Sequence, residues 1–190
     1  MKIKIGFAIC GSFCTHEQIL WQVEKLTEKY DIVPILSPAS ATQDTRFGMA
    51  ENLKNRLIKL TGNEIVDSLQ LAEPLGPKGV IELLVIAPCT GNTLAKLANA
   101  ITDNAVTMVA KALSRNNKPV VVGISTNDGL GLSMQNLAKL MQTKNYYFVP
   151  FGQDDPTKKP KSLISDYEKI DKAIEGALKG EQVQPILIGR

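Results

Sequence analysis

Four short segments hold the side chains whose types and spacing could do chemistry: Cys10-Gly11-Ser12, Ser37-Pro38, Pro88-Cys89-Thr90-Gly91-Asn92-Thr93 and Ser125-Thr126-Asn127-Asp128. Each closes an apolar run with small hydroxyl, thiol or amide side chains. Short polar side chains beside free backbone N–H groups are the means by which a helix start holds a phosphate or a carboxylate. In the third segment, plain N-capping by Thr90 or Asn92 satisfies the same pattern. The two readings coexist, because a capped helix start is what a phosphate approaches. Gly6 and Gly11 do not have the G-x-G-x-x-G spacing, which argues against a dinucleotide fingerprint.

Bases and nucleophiles are few. His16 is the single histidine, at the start of the first helical pattern, and it reads either as a solvated side chain or as a base. Asp103 and Asp128 are the carboxylates beside these segments. Cys10, Cys14 and Cys89 follow no zinc spacing, and C-x3-C is one residue too long for a thioredoxin-type site. Cys10 and Cys89 both end strands, where they face one another, face a ligand, or serve as small buried apolar groups. No metal ligand set is expected. The run Asp154-Asp155-Pro156-Thr157-Lys158-Lys159-Pro160-Lys161 reads as solvated surface, or as a lid or docking segment.

The elements that must position these residues alternate along the chain. Strands are predicted at Ile3–Cys10, Ile32–Leu36, Val80–Ala87, Pro119–Ile124 and Tyr146–Val149. The third and fourth are almost wholly apolar, as in a sheet covered on both faces. Pro34 suggests for its strand a position near a sheet edge or at the start of pairing. Helical spacing follows each strand: Ile19, Leu20, Val23, Leu26 and Tyr30; Phe47, Ala50, Leu53, Leu57 and Leu60; Leu94, Leu97, Ala98 and Ile101; Val106, Val109, Ala110 and Leu113; and Met134, Leu137, Ala138 and Met141 facing inward. Capping boxes are expected at Thr15–Gln18 and Ser165–Glu168. Residues 39–46 and 151–160 read as polar loops, 64–71 as a short helical piece, 74–79 as loop, and 166–179 as a last helix. The fold class is α/β, a doubly wound, Rossmann-like and mostly parallel sheet flanked by helices on both faces. One domain spans 1–190, with 151–160 and the last helix as a C-terminal extension.

Composition sets the outer limits. The chain has 190 residues, 44% hydrophobic and 22% charged, enough for one full core without metal or disulfide staples. The net charge of +3 comes without a dense Lys/Arg block, so nucleic acid and membrane surfaces are not expected partners. No apolar run approaches the roughly 18–20 residues of a membrane span. The sparse, odd set of cysteines suits a reducing compartment, and a cytoplasmic location is expected.

Ala87-Pro88-Cys89-Thr90-Gly91-Asn92-Thr93-Leu94-Ala95-Lys96-Leu97-Ala98, followed by Ile101-Thr102-Asp103-Asn104, resembles the flavoprotein family of cysteine decarboxylases and flavin prenyltransferases. Ala8-Ile9-Cys10-Gly11-Ser12 is similar to that family's first turn, and Ser37-Pro38 to its second-strand contact. The resemblance implies an FMN site made by Cys10, Gly11, Ser12, Ser37, Thr90, Gly91, Asn92 and Thr93, with Ser125 near the flavin ring or substrate. It also implies a substrate carboxylate at Asn127 and a homo-oligomer, a trimer or a multiple of one. Three departures narrow the chemistry. Residues 74–79 lack the decarboxylases' catalytic histidine, Ser125-Thr126 replaces the prenyltransferases' Arg-Glu, and Ala8 and Cys10 replace Gly and Thr of the first turn. Glu73–Lys78 and Val149–Pro156 resemble a branch of the family that works with a separate protein carrying NADP. That branch oxidises a dihydrodipicolinate-type dicarboxylate. The alternatives are a mononucleotide-binding module without chemistry and a self-sufficient FMN enzyme.

Overall fold

Alternation within the strands decides which layer each side chain joins. Along β1 (Ile3–Ile9), Ile5, Phe7 and Ile9 pack on one face of the sheet, while Ala8, with Cys10 just beyond the strand, packs on the other. β3 (Leu83–Cys89) and β4 (Val120–Thr126) repeat the rule, with Leu83, Val85 and Val121 on the first face and Leu84, Ile86, Val120 and Val122 on the second. All residues of β3 and β4 are buried, as a strand covered on both faces requires. The computed structural model describes residues 2–76 and 79–189. Pro77 and Lys78, part of the stretch read as loop, lie outside them.

The first face is covered by α1 (His16–Thr27), α3 (Ala50–Thr61) and α8 (Ile170–Leu178). The second is covered by α4 (Leu69–Ala72), α5 (Gly91–Ala98), α6 (Ala105–Arg115) and α7 (Ser133–Met141). β2 (Tyr30–Leu36), β1, β3 and β4 run parallel in the order β2-β1-β3-β4. The outer edge of β4 is then shared. Its first half, Val120–Val122, pairs in parallel with β5 (Tyr146–Phe148). Its end, Ser125 and Thr126, pairs antiparallel with β7 (Lys159–Ser165), which is in turn paired with β6 (Phe151–Asp155). At the handover the Ser165 hydroxyl accepts from the Ile124 N–H at 2.8 Å and donates to the Val149 carbonyl at 3.2 Å. A side chain thus fills the gap in the backbone ladder.

The doubly wound parallel sheet is the architecture expected from the sequence, and of the two places that suit Pro34 the structure takes the sheet edge, with β2 at the end of the strand order. Leu36 N–H bonds outward to the Val66 carbonyl, and the Val66 N–H bonds back to the Pro34 carbonyl. Residue 34 therefore points its nitrogen away from β1, where a missing donor costs no ladder bond.

Several local expectations are corrected. Residues 151–160 are not loop: they form most of the β6–β7 hairpin, which brings the described strands to seven. Its polar sequence hid it, because its tip is exposed and only Phe151, Gly152, Ser162, Leu163 and Ser165 are buried. Residues 39–46 include α2 (Pro38–Thr42), capped by Ser37. Tyr30 opens β2 and Ile101 lies beyond the end of α5, so neither belongs to the helix expected to hold it, and Phe47 precedes α3 instead of lying on it and is half exposed. Of 64–71, only the end joins α4, with Ser68 as its cap. Neither expected capping box forms. The Thr15 hydroxyl donates back to the Ser12 carbonyl, and Asp166, not Ser165, caps the turn before α8. The box that does form joins Asn104 and Thr107 at the start of α6. Met134, Ala138 and Met141 are exposed, and α7 buries Leu140 alongside the expected Leu137. A period of 3.6 admits either stripe, and the neighbouring α5 selects one.

Candidate functional site

The chain leaves β1 first toward β2 and then returns to place β3 on the other side. This reversal opens a crevice at the carboxyl ends of β1 and β3, the place where doubly wound sheets bind ligands. An open cavity of ≈ 890 Å³ lies there, within the range of small-molecule and cofactor sites. Gly11 and Ser12 after β1, Thr90, Gly91 and Asn92 after β3, and Ser125, Thr126, Asn127 and Asp128 at the end of β4 all line it. These are seven of the ten residues expected from sequence, together with two of their neighbours.

The loops are tied to each other by their own side chains. The hydroxyls of Ser12 and Ser125 are 2.6 Å apart, so the turn after β1 is joined to the end of β4 across the mouth of β3. Thr90 caps α5 by accepting the Thr93 N–H at 3.3 Å. The Thr93 hydroxyl donates to the Cys10 sulfur at 3.3 Å. The N–H groups of Gly91 and Asn92, in the first turn, have no intrahelical acceptor and carry the positive end of the helix dipole. Gly91 is required here on steric grounds. A Cβ would sit 2.8 Å from the Thr126 Oγ1 and 2.9 Å from the Ser133 Oγ, so a larger residue would push the helix start off β4.

The three remaining expected residues lie beneath or beside the cavity. Cys10 and Thr93 are buried under its floor. Burial pushes the Cys10 thiol up to about 11. Burial, and then the neighbouring Cys10, pushes Cys89 well above its ordinary value. Both are thus buried, neutral thiols in the same core cluster. Ser37 is buried and spends its hydroxyl on the Ser40 N–H and hydroxyl, capping the five-residue α2.

His16 does not reach this cavity. Its Nε2 lies 2.9 Å from the Cys10 carbonyl, so Nε2 carries the proton, and its ring packs on Phe13 at 5.2 Å. Burial lowers its pKa, so the ring is neutral near pH 7. It lines a separate cavity of ≈ 50 Å³ between α1 and α3. Asp103 is held below the usual carboxylate range by Lys96, with which it pairs at 2.6 Å away from the cavity. Asp128 does line the cavity and accepts the Ser133 N–H at 3.2 Å. Among the described residues no group of three or more His, Cys, Asp or Glu side chains is placed to hold a metal ion.

The charged and aromatic lining comes from outside the ten expected residues, in part from the run 154–161 that reads as solvated surface or as a lid or docking segment. Arg46 and Phe47 reach the cavity from the connection between α2 and α3, and Asp154, Lys159 and Ser162 from the hairpin. Lys159 pairs with Asp154 at 2.8 Å. Nothing local in sequence distinguishes Arg46 from any other surface arginine; the turn that presents it is a tertiary feature.

A family model described as Flavoprotein matches residues 1–177. The chain is 50% identical over 186 residues to the B subunit of dipicolinate synthase from Bacillus subtilis strain 168, covering 97% of this chain and 93% of that protein. The crystal structure of the dipicolinate synthase B subunit from Bacillus halodurans C superposes with a TM-score of 0.91 at 48% identity over 100% of both chains. At the level of fold alone, DmrB of Burkholderia xenovorans, solved in complex with FMN, matches with a TM-score of 0.69 at 18% identity, covering 94% of this chain and 96% of that one.

Proposed function

The chain belongs to the flavoprotein family, and from that premise we propose that it is the flavin-binding B subunit of a dipicolinate synthase. In this reading it acts with an NADP-carrying A subunit to oxidise dihydrodipicolinate, or its hydroxytetrahydro precursor, to dipicolinate during sporulation. The setting is the mother-cell cytoplasm of a spore former; among the described residues no helix is long and apolar enough to cross a membrane. The observation that carries the reading is the hydroxyl- and amide-lined cavity at the β1–β3 crevice, in a chain half identical to a protein of that name.

The residues present fit FMN. The start of α5 offers the Gly91 and Asn92 N–H groups to a phosphate. Gly11 keeps the adjoining turn low, and Ser12 and Ser125 offer hydroxyls further along the cavity. Bound there, FMN would supply two-electron redox chemistry. This chain's own part is orientation. The Asn127 amide donates to a substrate carboxylate without adding charge, and the buried ends of β3 and β4 hold the loops still. Aromatisation of the pyridine ring supplies the driving force, so holding the ring in register is the main catalytic requirement.

A decarboxylase or prenyltransferase acting alone is disfavoured. The one histidine is neutral, bonded to Cys10 and outside the cavity, and the Arg-Glu of the prenyltransferases is absent. A binding module without chemistry is the second reading, favoured by the lack of an imidazole at the cavity, since the one histidine lies outside its lining. Titration of FMN into the purified chain, followed by flavin absorbance and fluorescence, tests the cofactor. Adding the A subunit, NADP and the dihydropyridine, and following nicotinamide reduction, tests the reaction. A chain that takes up no FMN refutes the flavin reading, and turnover without the A subunit refutes the two-subunit one.

A further inference from the structure

Arg46 is the cation of the cavity that no carboxylate neutralises. Among the described residues it has no salt-bridge partner, whereas Lys159 is paired with Asp154. The guanidinium lies over the Phe47 ring, 4.8 Å from its centroid, which orients the fork without consuming its donors.

The turn that carries it is built. Thr45 and Gly48 exchange two backbone hydrogen bonds, at 2.9 and 3.1 Å. The Phe47 N–H donates to the Thr45 Oγ1 at 3.1 Å, and the Ala50 N–H to the Asp44 carboxylate at 2.9 Å. Gly48 closes the turn at φ +146°, a conformation that L side chains rarely adopt. Five residues thus spend their polar groups on holding Arg46 and Phe47 at the cavity, and neither side chain is used to hold the fold.

We propose that Arg46 is a specificity-determining residue that binds one carboxylate of the dicarboxylate substrate through its unpaired guanidinium. The inference rests on the functional reading above and deepens it. The phosphate of a mononucleotide finds its donors at the start of α5 after β3, whereas Arg46 arrives from the β2 side of the sheet. Asn127 arrives from β4, on the far side of β3. A ring with two carboxylates needs a second anchor besides the neutral amide. A planar guanidinium is the side chain that grips a carboxylate with two parallel hydrogen bonds.

The test compares two pyridine ligands on the FMN-loaded protein by calorimetry: pyridine-2,6-dicarboxylate and the monocarboxylate pyridine-2-carboxylate. The unaltered protein is expected to prefer the dicarboxylate. In Arg46→Ala that preference is expected to collapse by about tenfold or more, with Arg46→Lys restoring part of it and FMN affinity unchanged. With the A subunit added, KM rises while kcat changes little. An unchanged preference in Arg46→Ala overturns the inference and leaves the flavoprotein reading standing. An equal loss of FMN affinity assigns Arg46 to the phosphate and also overturns it. If the unaltered, FMN-loaded protein binds neither pyridine, the inference and the substrate reading fall together.

Discussion

At the scale of single residues, the cavity is made of neutral donors whose positions depend on one another. Ser12 and Ser125 share one short hydrogen bond, so replacing either by Ala removes the contact that ties the two loops together. That loss is worth about 1 kcal/mol, and FMN affinity is expected to fall about five- to tenfold in Ser12→Ala and in Ser125→Ala. The double variant should be little worse than either single one. Flavin titration of the three variants measures this, and strictly additive losses would show that the hydroxyls act separately. His16 makes a prediction in pH. Burial lowers its folded pKa below the ordinary 6.5, so the unfolded chain binds the extra proton first. Stability is therefore full above pH 6.5 and falls as the pH drops below it, until the folded ring itself protonates. Denaturant midpoints between pH 7 and 5 should show this slope, and His16→Asn should flatten it. An unaltered slope in that variant would place the titration elsewhere.

Among the elements, the hairpin of β6 and β7 depends on a junction. Ser165 is 1% exposed and bonds both the Ile124 N–H and the Val149 carbonyl where β4 passes from β5 to β7. Ser165→Ala is expected to cost about 1–3 kcal/mol, seen as a Tm lower by several degrees. FMN affinity should fall with it, because Ser125 pairs with β7 at Ile164. A lower Tm with unchanged FMN affinity would separate the hairpin from the site. This junction was invisible in the sequence for a plain reason: pairing at an exposed edge needs no apolar alternation, and Phe151–Ser165 shows little. The parallel strands were legible because both faces of β3 and β4 are covered and their composition says so. Thr90 and Asn92 were legible as a helix start because the cap is local. Arg46 was not, since its place depends on a turn closed by Thr45 and Gly48 and on strand order.

At the scale of the whole molecule, several large apolar side chains stand at the surface. Leu132 is 81% exposed, Trp21 67% and Phe47 50%. The family reading implies a homo-oligomer, a trimer or a multiple of one. Analytical ultracentrifugation is expected to find a species of at least three times 20.7 kDa. A single species at the monomer mass would overturn that expectation. With a net charge of only +3, mutual repulsion between copies opposes assembly weakly.

The sequence by itself determined the alternation of apolar strands with amphipathic helices, the constraint that Pro34 puts on the pairing of its strand and the small polar loops at the ends of β1, β3 and β4. These follow from periodicity, from the missing N–H of proline and from capping, all of which act over a few residues. Only the tertiary structure decided that Ser12 meets Ser125 across 113 positions and that Cys10 and Cys89 are buried together as neutral thiols. It alone also decided that His16 turns away from the cavity while Arg46 faces it. Those outcomes depend on strand order and on burial, which exist only once distant segments share a sheet.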